Sequence, residues 1–424
     1  MSRGLGDVYK RQIIDRSLDL PIESAAELMQ LHRSTTNATG ATLLNAVLAS
    51  CFEEQPGAIQ HEPPVGGLDE LPASLRTPIL GLGNWLRSAN NEIKEAMSDL
   101  TPAEQRVLIE SLPVWAIEDP SVNFNFVRGQ TVGQDQILEL LDRVDLVRIR
   151  SVAYRLSVAV ERAIVQLQNS EEDIEGKMRG KVAGMPVIVA GRGDDVHDET
   201  DAVLTIDLGG NDRYEGRHGA GIGYASIHID LGGDDRYEVD DLNLGAGLLG
   251  IGLSYDLGGD DTVSTEGISL GAGLGGVGVF SKTGGDDVYR SGVLSQGFGQ
   301  FGVGLMLDSN GRDKYDLLLY GQGAARTQGV GWLVDRFGND EYRAGGLILN
   351  SPLFATAHYS FAQGFSMGYR EDTGGISGGV GLITDHAGND HYLGETYHQA
   401  ASYWFALGTL YDESGNDTYV GHHY

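Results

Sequence analysis

The chain has 424 residues and a formal net charge of −30, from 60 acidic against 30 basic side chains, with 62 glycines and one cysteine. That acidity excludes nucleic acid and anionic membrane surfaces as partners, and the lone Cys51 excludes a disulfide framework or a cysteine-rich metal centre. No apolar run reaches the roughly 18 residues that a membrane span requires.

Residues 1–12 stand apart. Asp7-Val8-Tyr9-Lys10-Arg11-Gln12 resembles the translation of a transposon end used in making sequencing libraries, so this stretch is expected to be an assembly scar. The chain is also expected to be cut at its far end, where Tyr424 falls just after a repeat turn.

Residues 13–180 read as an α-helical domain. Thr101-Pro102-Ala103-Glu104 places a capping Thr, a first-turn Pro and a third-position Glu ahead of Val107, Leu108 and Leu112. Val152, Leu156, Val160, Ile164 and Leu167 recur every three or four residues, the stripe of a long amphipathic helix. Gln55–Pro72, with its Pro and Gly pairs, reads as a loop between helical groups. No catalytic motif occurs in this region, and covering the open end of the next domain is its expected task.

From 187 to 424 the texture becomes glycine-rich and β-branched, with 26 Asp against 8 Glu over residues 181–424. One turn recurs throughout. It reads Gly-Gly-Asn-Asp at 209–212, Gly-Gly-Asp-Asp at 232–235, 258–261 and 284–287, and Asn-Gly-Arg-Asp at 310–313. Phe, Ala or Ser then precedes Gly-Asn-Asp at 337–340, 387–390 and 414–417. The closing aspartates step by 23, 26, 26, 26, 27, 50 and 27 residues, a period that signals stacked repeats. Apolar residues alternate before each turn (Leu204/Ile206, Ile227/Ile229, Leu253/Tyr255, Leu305/Leu307, Trp332/Val334), which says strand with one face inward.

A unit of this length cannot bury its own core, whereas a stack of units can. Helical repeats would not tolerate Gly245-Ala246-Gly247 or Gly275-Gly276-Val277-Gly278, since each internal Gly costs about 1 kcal/mol. Propeller blades usually need about 40 residues or more. The expected fold is therefore mainly β: a right-handed parallel β-helix (β-solenoid) of about nine coils, preceded by the helical region. Arg192-Gly193-Asp194 is its degenerate first turn. The 50-residue step marks one enlarged coil, because Phe361-Ala362-Gln363-Gly364-Phe365 aligns with Leu294-Ser295-Gln296-Gly297-Phe298. Its two excursions fall near 350–359 and 369–377.

Stacking places equivalent residues about 4.8 Å apart on successive coils. Asp212, Asp235, Asp261, Asp287, Asp313, Asp340, Asp390 and Asp417 then form one carboxylate ladder. Asp207, Asp230, Asp256, Asp308, Asp335, Asp385 and Asp412 form a second, and Asn211, Asp234, Asp260, Asp286, Asn339, Asn389 and Asn416 a third. Neighbouring charges at that spacing repel, so something must offset them. One answer is a row of Ca²⁺ ions held by the fifteen aspartates of the first two ladders, since calcium takes six to eight oxygens. The other is that each Asp caps its own turn as an Asx-turn, with Gly supplying positive φ. Lys282 stands where the fourth coil should carry the leading Asp, an ammonium placed among carboxylates. Gln296, Gln322, Gln363 and Gln399 suggest a stacked amide row, and Tyr214, Tyr237, Tyr289, Tyr315, Tyr342, Tyr392 and Tyr419 an aromatic ladder, both mainly for packing.

Gly415-Asn416-Asp417-Thr418-Tyr419 and Gly388-Asn389-Asp390-His391-Tyr392 resemble the Gly-Asn-Asp core of hemolysin-type (RTX) calcium-binding repeats. The resemblance covers about six residues per coil. It departs in spacing, about 26 rather than nine, and in lacking the second Gly of Gly-Gly-x-Gly-x-Asp. What it implies is a parallel β-roll exported by Gram-negative bacteria, with the turn-closing aspartates as calcium ligands. The expected role is a secreted or cell-surface structural, adhesive or interaction protein whose partner is a protein or a carbohydrate. The alternative is a carbohydrate-active β-helix enzyme, a polysaccharide lyase or hydrolase, using His358, Tyr359, Arg370, Glu371 and Asp372 on the enlarged coil.

Overall fold

A computed structural model describes residues 25–52, 54–55, 68–117, 119, 121–371 and 374–423. The expected assembly scar, most of the Gln55–Pro72 loop and Asp372 lie outside the described residues.

Among the described residues six helices come first: α1 (Ala25–Arg33), α2 (Gly40–Cys51), α3 (Ala73–Ala96), α4 (Pro102–Ile117), α5 (Gln134–Leu141) and α6 (Leu146–Gln168). The Thr101 capping box closes as expected: its N–H donates to Glu104 Oε2 at 2.8 Å and its Oγ1 accepts from the Glu104 N–H at 3.3 Å. The α6 stripe is buried over its whole length.

The rest is a parallel β-solenoid with three faces. Each coil runs along a long strand, through the Gly-rich turn, along a second strand, then through a two-residue strand and back. The first strands make one sheet, in which nine parallel strands follow from Met185–Ala190 to Leu407–Asp412. Seven of these, from Leu204–Asp207 to Val380–Asp385, belong to coils with all three strands; with the two-strand coil of Leu407–His423 they make about eight turns, and Met185–Ala190 begins the degenerate ninth. The second strands make a nine-stranded parallel sheet carrying the tyrosines, and the short ones a seven-stranded sheet. The edge of the long sheet is covered by Lys177–Val182, which pairs antiparallel with Met185–Ala190.

The alternating apolar residues turn out to face away from the coil interior. Leu204, Ile206, Ile227, Ile229, Leu253, Tyr255, Leu305, Leu307, Trp332 and Val334 share one core with the helices. The inward positions, Thr205, His228, Ser254, Phe280, Met306, Leu333 and Ile383, lie in register on successive coils, and the apolar ones pack against the tyrosine ladder. Both faces of this sheet are therefore buried. The helices do more than cover an end. They lie along its flank, α3 against Ala225–Asp230, α6 against Ile251–Lys282 and α2 against Val277–Leu307. Beyond the helix axes, α1 reaches the last two coils, where His32 bonds Thr384 Oγ1 at 2.6 Å and Thr409 Oγ1 at 3.2 Å.

Two bends shape each coil. Leu244, Leu270, Gln296, Gln322, Gln363 and Gln399 occupy one of them, all with φ between 41° and 56°. Left-handed backbone costs a non-Gly residue roughly 1–2 kcal/mol, so packing must hold these in place. Five are followed by Gly; at Gly271 (φ +77°) a Cβ would sit 1.8 Å from the Leu305 carbonyl oxygen, a distance no side chain survives. The amide row is real and structural. Gln322 Nε2 donates to the Tyr315 carbonyl at 2.9 Å and to the Arg343 carbonyl at 3.0 Å, tying its own coil to the next; Gln363 and Gln399 repeat this.

The enlarged coil keeps the register, since Val330–Asp335 pairs directly with Val380–Asp385. Its extra chain forms two antiparallel hairpins, one pairing Leu349–Asn350 with Phe354–His358 and the other Tyr369–Glu371 with Gly374–Ile376.

Candidate metal centre

The recurring turn works through three side-chain ladders with different duties. Asp207, Asp230, Asp256 and Asp308 end the long strand and accept, through Oδ1, the N–H two residues on, at 2.9, 2.7, 3.3 and 3.3 Å. These are the Asx-turns that turn chemistry alone anticipates. The closing aspartates bond between coils instead. Asp235 Oδ1 accepts the Asp212 N–H at 2.6 Å, Asp261 that of Asp235 at 2.7 Å, and the series continues through Asp287, Asp313, Asp340, Asp390 and Asp417. The outer ladder runs in the opposite sense: Asn211 Oδ1 accepts from Asp234, Asp234 from Asp260, Asp260 from Asp286 and Asp286 from Arg312. It is exposed, and the degenerate turn supplies its first rung as Asp194. Gly259 (φ +97°) allows this close stacking, because a Cβ there would lie 1.5 Å from the Gly233 carbonyl oxygen.

The first two ladders meet in buried triplets. Asp212, Asp230 and Asp235 each offer one ligand atom within 4.8 Å of the others, as do Asp235, Asp256 and Asp261; Asp287, Asp308 and Asp313; and Asp313, Asp335 and Asp340. Asp385 and Asp390 continue the row, also buried, while Asp412 and Asp417 in the last coil are half-exposed. Each triplet draws one carboxylate from one coil and two from the next.

Tyrosine hydroxyls supply one partner apiece. Tyr237 donates to Asp256 Oδ2 at 2.8 Å, Tyr289 to Asp308 at 2.6 Å, Tyr315 to Asp335 at 2.6 Å and Tyr342 to Asp385 at 2.8 Å, with Tyr214 likewise on Asp230. Their rings stack down the interior 4.4–5.1 Å apart where they are adjacent. The ladder is thus a row of hydrogen-bond donors as well as packing, a role that its sequence position left unread.

Three departures from the repeat explain one another. In the third coil the tyrosine position holds Val263 and in the fourth the leading Asp is Lys282: where the acceptor is gone, so is the donor. The Lys282 ammonium, 1 % exposed, lies 2.9 Å from Asp256 Oδ1, in contact with Asp261 Oδ2 and 3.9 Å from Asp287 Oδ1. Burial opposes its charge, but those aspartates more than reverse the effect and hold it protonated. In the partial coil before the first, the tyrosine position holds His197, paired in register with Tyr214. Its Nε2 lies 2.7 Å from Asp207 Oδ2. Burial again disfavours the cation, yet the hydrogen bond to Asp207 and the Glu199 carboxylate close by raise the imidazole to about 9. His197 was not among the sequence candidates, although a histidine in a tyrosine column was there to be seen.

Beyond the oxygens that these two cations contact, carboxylate oxygens go unpartnered. Asp212, Asp235, Asp313, Asp340 and Asp390 each leave Oδ2, and Asp335 and Asp385 leave Oδ1, buried with no hydrogen bond from the protein. Asp313–Asp335–Asp340 presents one such oxygen from each member. Two charges 4.8 Å apart repel by roughly 3 kcal/mol at an effective dielectric constant of 20. Burial first, and the neighbouring aspartates second, push Asp212 up to about 7 and Asp385 up to about 8; burial chiefly does the same to Asp340, at about 7. Without a cation these groups exchange their protons around neutral pH.

The donors fit a hard cation. All are carboxylate oxygens, and an oxygen that accepts one N–H keeps a second lone pair. A triplet brings together one oxygen from each of three carboxylates, so carbonyls, waters or second carboxylate oxygens would complete the six to eight that calcium takes.

The residues of the enzyme alternative are not gathered. His358 Nδ1 lies 2.9 Å from Glu395 Oε2, Tyr359 stacks on Phe361 with centroids 5.0 Å apart, and Arg370 bonds the Tyr403 hydroxyl at 3.1 Å beside Trp404. Glu371 lies on the second hairpin, and Asp372 outside the described residues. The outer surface of the tyrosine sheet does carry an open groove of about 710 Å³, lined among others by Glu266, Arg290, Asp316, Arg343, Glu395 and His422. Among the described residues no helix is long and apolar enough to cross a membrane. Comparison with protein-family models, with curated proteins and with solved structures finds no match to this chain, so no family stands behind the Gly-Asn-Asp resemblance.

Proposed function

We propose that the solenoid is a calcium-binding scaffold, in which a row of Ca²⁺ ions between coils neutralises the buried aspartate triplets, and that it serves as a non-enzymatic structural or adhesive interaction protein. One observation carries the reading. Where the protein supplies its own ammonium, Lys282, the neighbouring carboxylates of Asp256, Asp261 and Asp287 are all satisfied, and His197 pairs with Asp207; elsewhere in the row oxygens are left buried and unpartnered. A position filled by an ammonium in one coil is a position for a cation in the others.

Sites built only when coils stack make ion uptake part of folding. Such a protein suits surroundings rich in calcium, which favours secretion or display at the cell surface. The groove along the tyrosine sheet, with Arg290 and Arg343 among acids, is the surface for a protein or carbohydrate partner. It is also the one feature that favours the carbohydrate-active alternative, which polysaccharide cleavage assays would reveal.

The test is thermal unfolding in Ca²⁺ and in chelator, with bound metal counted in the dialysed protein. Several ions per chain and a lower melting temperature in chelator are expected. A melting temperature indifferent to chelator, with no bound ion, would sink the proposal and leave protons as the neutralising species.

A further inference from the structure

A second kind of ligand atom goes unpartnered in the first coils, and it is nitrogen. His218 is fully buried, and neither ring nitrogen has a hydrogen-bond partner. His228, also fully buried, spends Nδ1 on Ser254 Oγ at 3.0 Å and leaves Nε2 free. His197 Nδ1 and Glu199 Oε2 face each other at 3.5 Å, too far apart for a good hydrogen bond.

The three rings form one group around Tyr214. Centroids of His218 and His228 lie 5.4 Å apart at an interplanar angle of 51°, and those of His218 and His197 6.1 Å apart at 88°. A metal–nitrogen bond of about 2.0–2.1 Å puts the centroids of two imidazoles on one metal roughly 5–6 Å apart. His197 is oriented as metal-bound imidazoles usually are, one nitrogen held by a carboxylate, Asp207, and the other left for the metal. If packing against Tyr214 were the whole purpose, phenylalanine and leucine would serve without unpaired nitrogens.

We propose that His218 and His228 anchor a buried transition-metal site of the zinc class, completed by the His197–Glu199 pair and distinct from the all-aspartate triplets. Imidazole donors suit zinc, copper or nickel, whereas carboxylates suit calcium. The metal enters as the first coils close, because His197, His218 and His228 are sealed from solvent in the folded protein.

The experiment refolds the full chain from denaturant with Ca²⁺ in excess and one equivalent of Co²⁺ or Zn²⁺, then counts both metals. One transition-metal ion per chain is expected, with visible Co²⁺ bands of nitrogen–oxygen ligation. The His218→Phe/His228→Leu double variant keeps the packing and should bind at least 100-fold more weakly, with its calcium count unchanged. Equal uptake by wild type and variant, or none by wild type, overturns the site. If the double variant fails to fold, X-ray absorption on the wild type decides: imidazole scattering around the metal supports the site and its absence overturns it. Calcium is counted separately in the same sample, so loss of one reading leaves the other standing.

Discussion

Replacing Lys282 by aspartate would give the fourth coil the residue that seven other coils carry at that position, Asp207, Asp230, Asp256, Asp308, Asp335, Asp385 and Asp412. The ammonium is 1 % exposed and touches Asp256 and Asp261, with Asp287 at 3.9 Å. Removing one partner of a buried ion pair costs about 3–5 kcal/mol, because the other charge is stranded. In chelator, Lys282→Asp should lose at least that much, read as a lower urea midpoint. In calcium the same change completes a carboxylate triplet, and binding at 100 times the dissociation constant restores about 2.7 kcal/mol. The variant should therefore be far more calcium-dependent than the wild type and carry about one ion more per chain. Equal destabilisation with and without calcium, at an unchanged ion count, would refute the reasoning that the ammonium stands in for a metal.

Three further outcomes are expected. Asp335→Asn removes a charge from the triplet whose every member has a free oxygen; the bound-calcium count should fall by about one while the far-ultraviolet circular dichroism is retained. Gln322→Ala strands the Tyr315 and Arg343 carbonyls and should cost about 1–3 kcal/mol in chemical unfolding. Gln322→Leu should cost less, since Leu244 and Leu270 occupy the same left-handed bend in earlier coils; a reversed order would contradict the account of the amide row. The third concerns pH. Asp212 and Asp340 titrate near 7 in the cation-free folded protein, above the ordinary 3.8. A raised folded-state value contributes stability below about pH 4 that is lost as pH climbs through about 7. In chelator the melting temperature should thus fall between pH 5 and pH 8, and calcium should flatten that fall. A flat profile in chelator would mean that the triplets carry no strain of charge.

What the sequence shows about this molecule, and what it hides, divides along the range of the interaction. The period, the Gly-rich turn and the Thr101 capping box are local, so spacing and residue type reveal them. The enlarged coil is legible too, because the 361–365 segment repeats the bend chemistry of 294–298. Period-two alternation, by contrast, says that Leu253 and Tyr255 share a face without saying which way it points. Their outward direction depends on helices far earlier in the chain, such as the one that carries Glu161, 94 residues before Tyr255. The tyrosine hydroxyl bonds were hidden for a similar reason, since Tyr315 and Asp335 meet only once the coils stack. The pairing of Val263 with Lys282 lay in the sequence as two separate irregularities; only the register shows that one removes the donor and the other the acceptor. Nothing in the spacing of His197, His218 and His228 hints that they converge.

The helices touch the solenoid from Ala225 to Thr409, nearly its whole length. A bare stack of repeats can come apart one rung at a time, because each rung knows only its neighbours. Here α1, α2, α3 and α6 act as a splint fastened at many heights, so no single rung can leave without lifting the splint from the others. Under a stretching force the molecule would resist as one body and then yield in a single large step. That is the behaviour of a bracket rather than a spring.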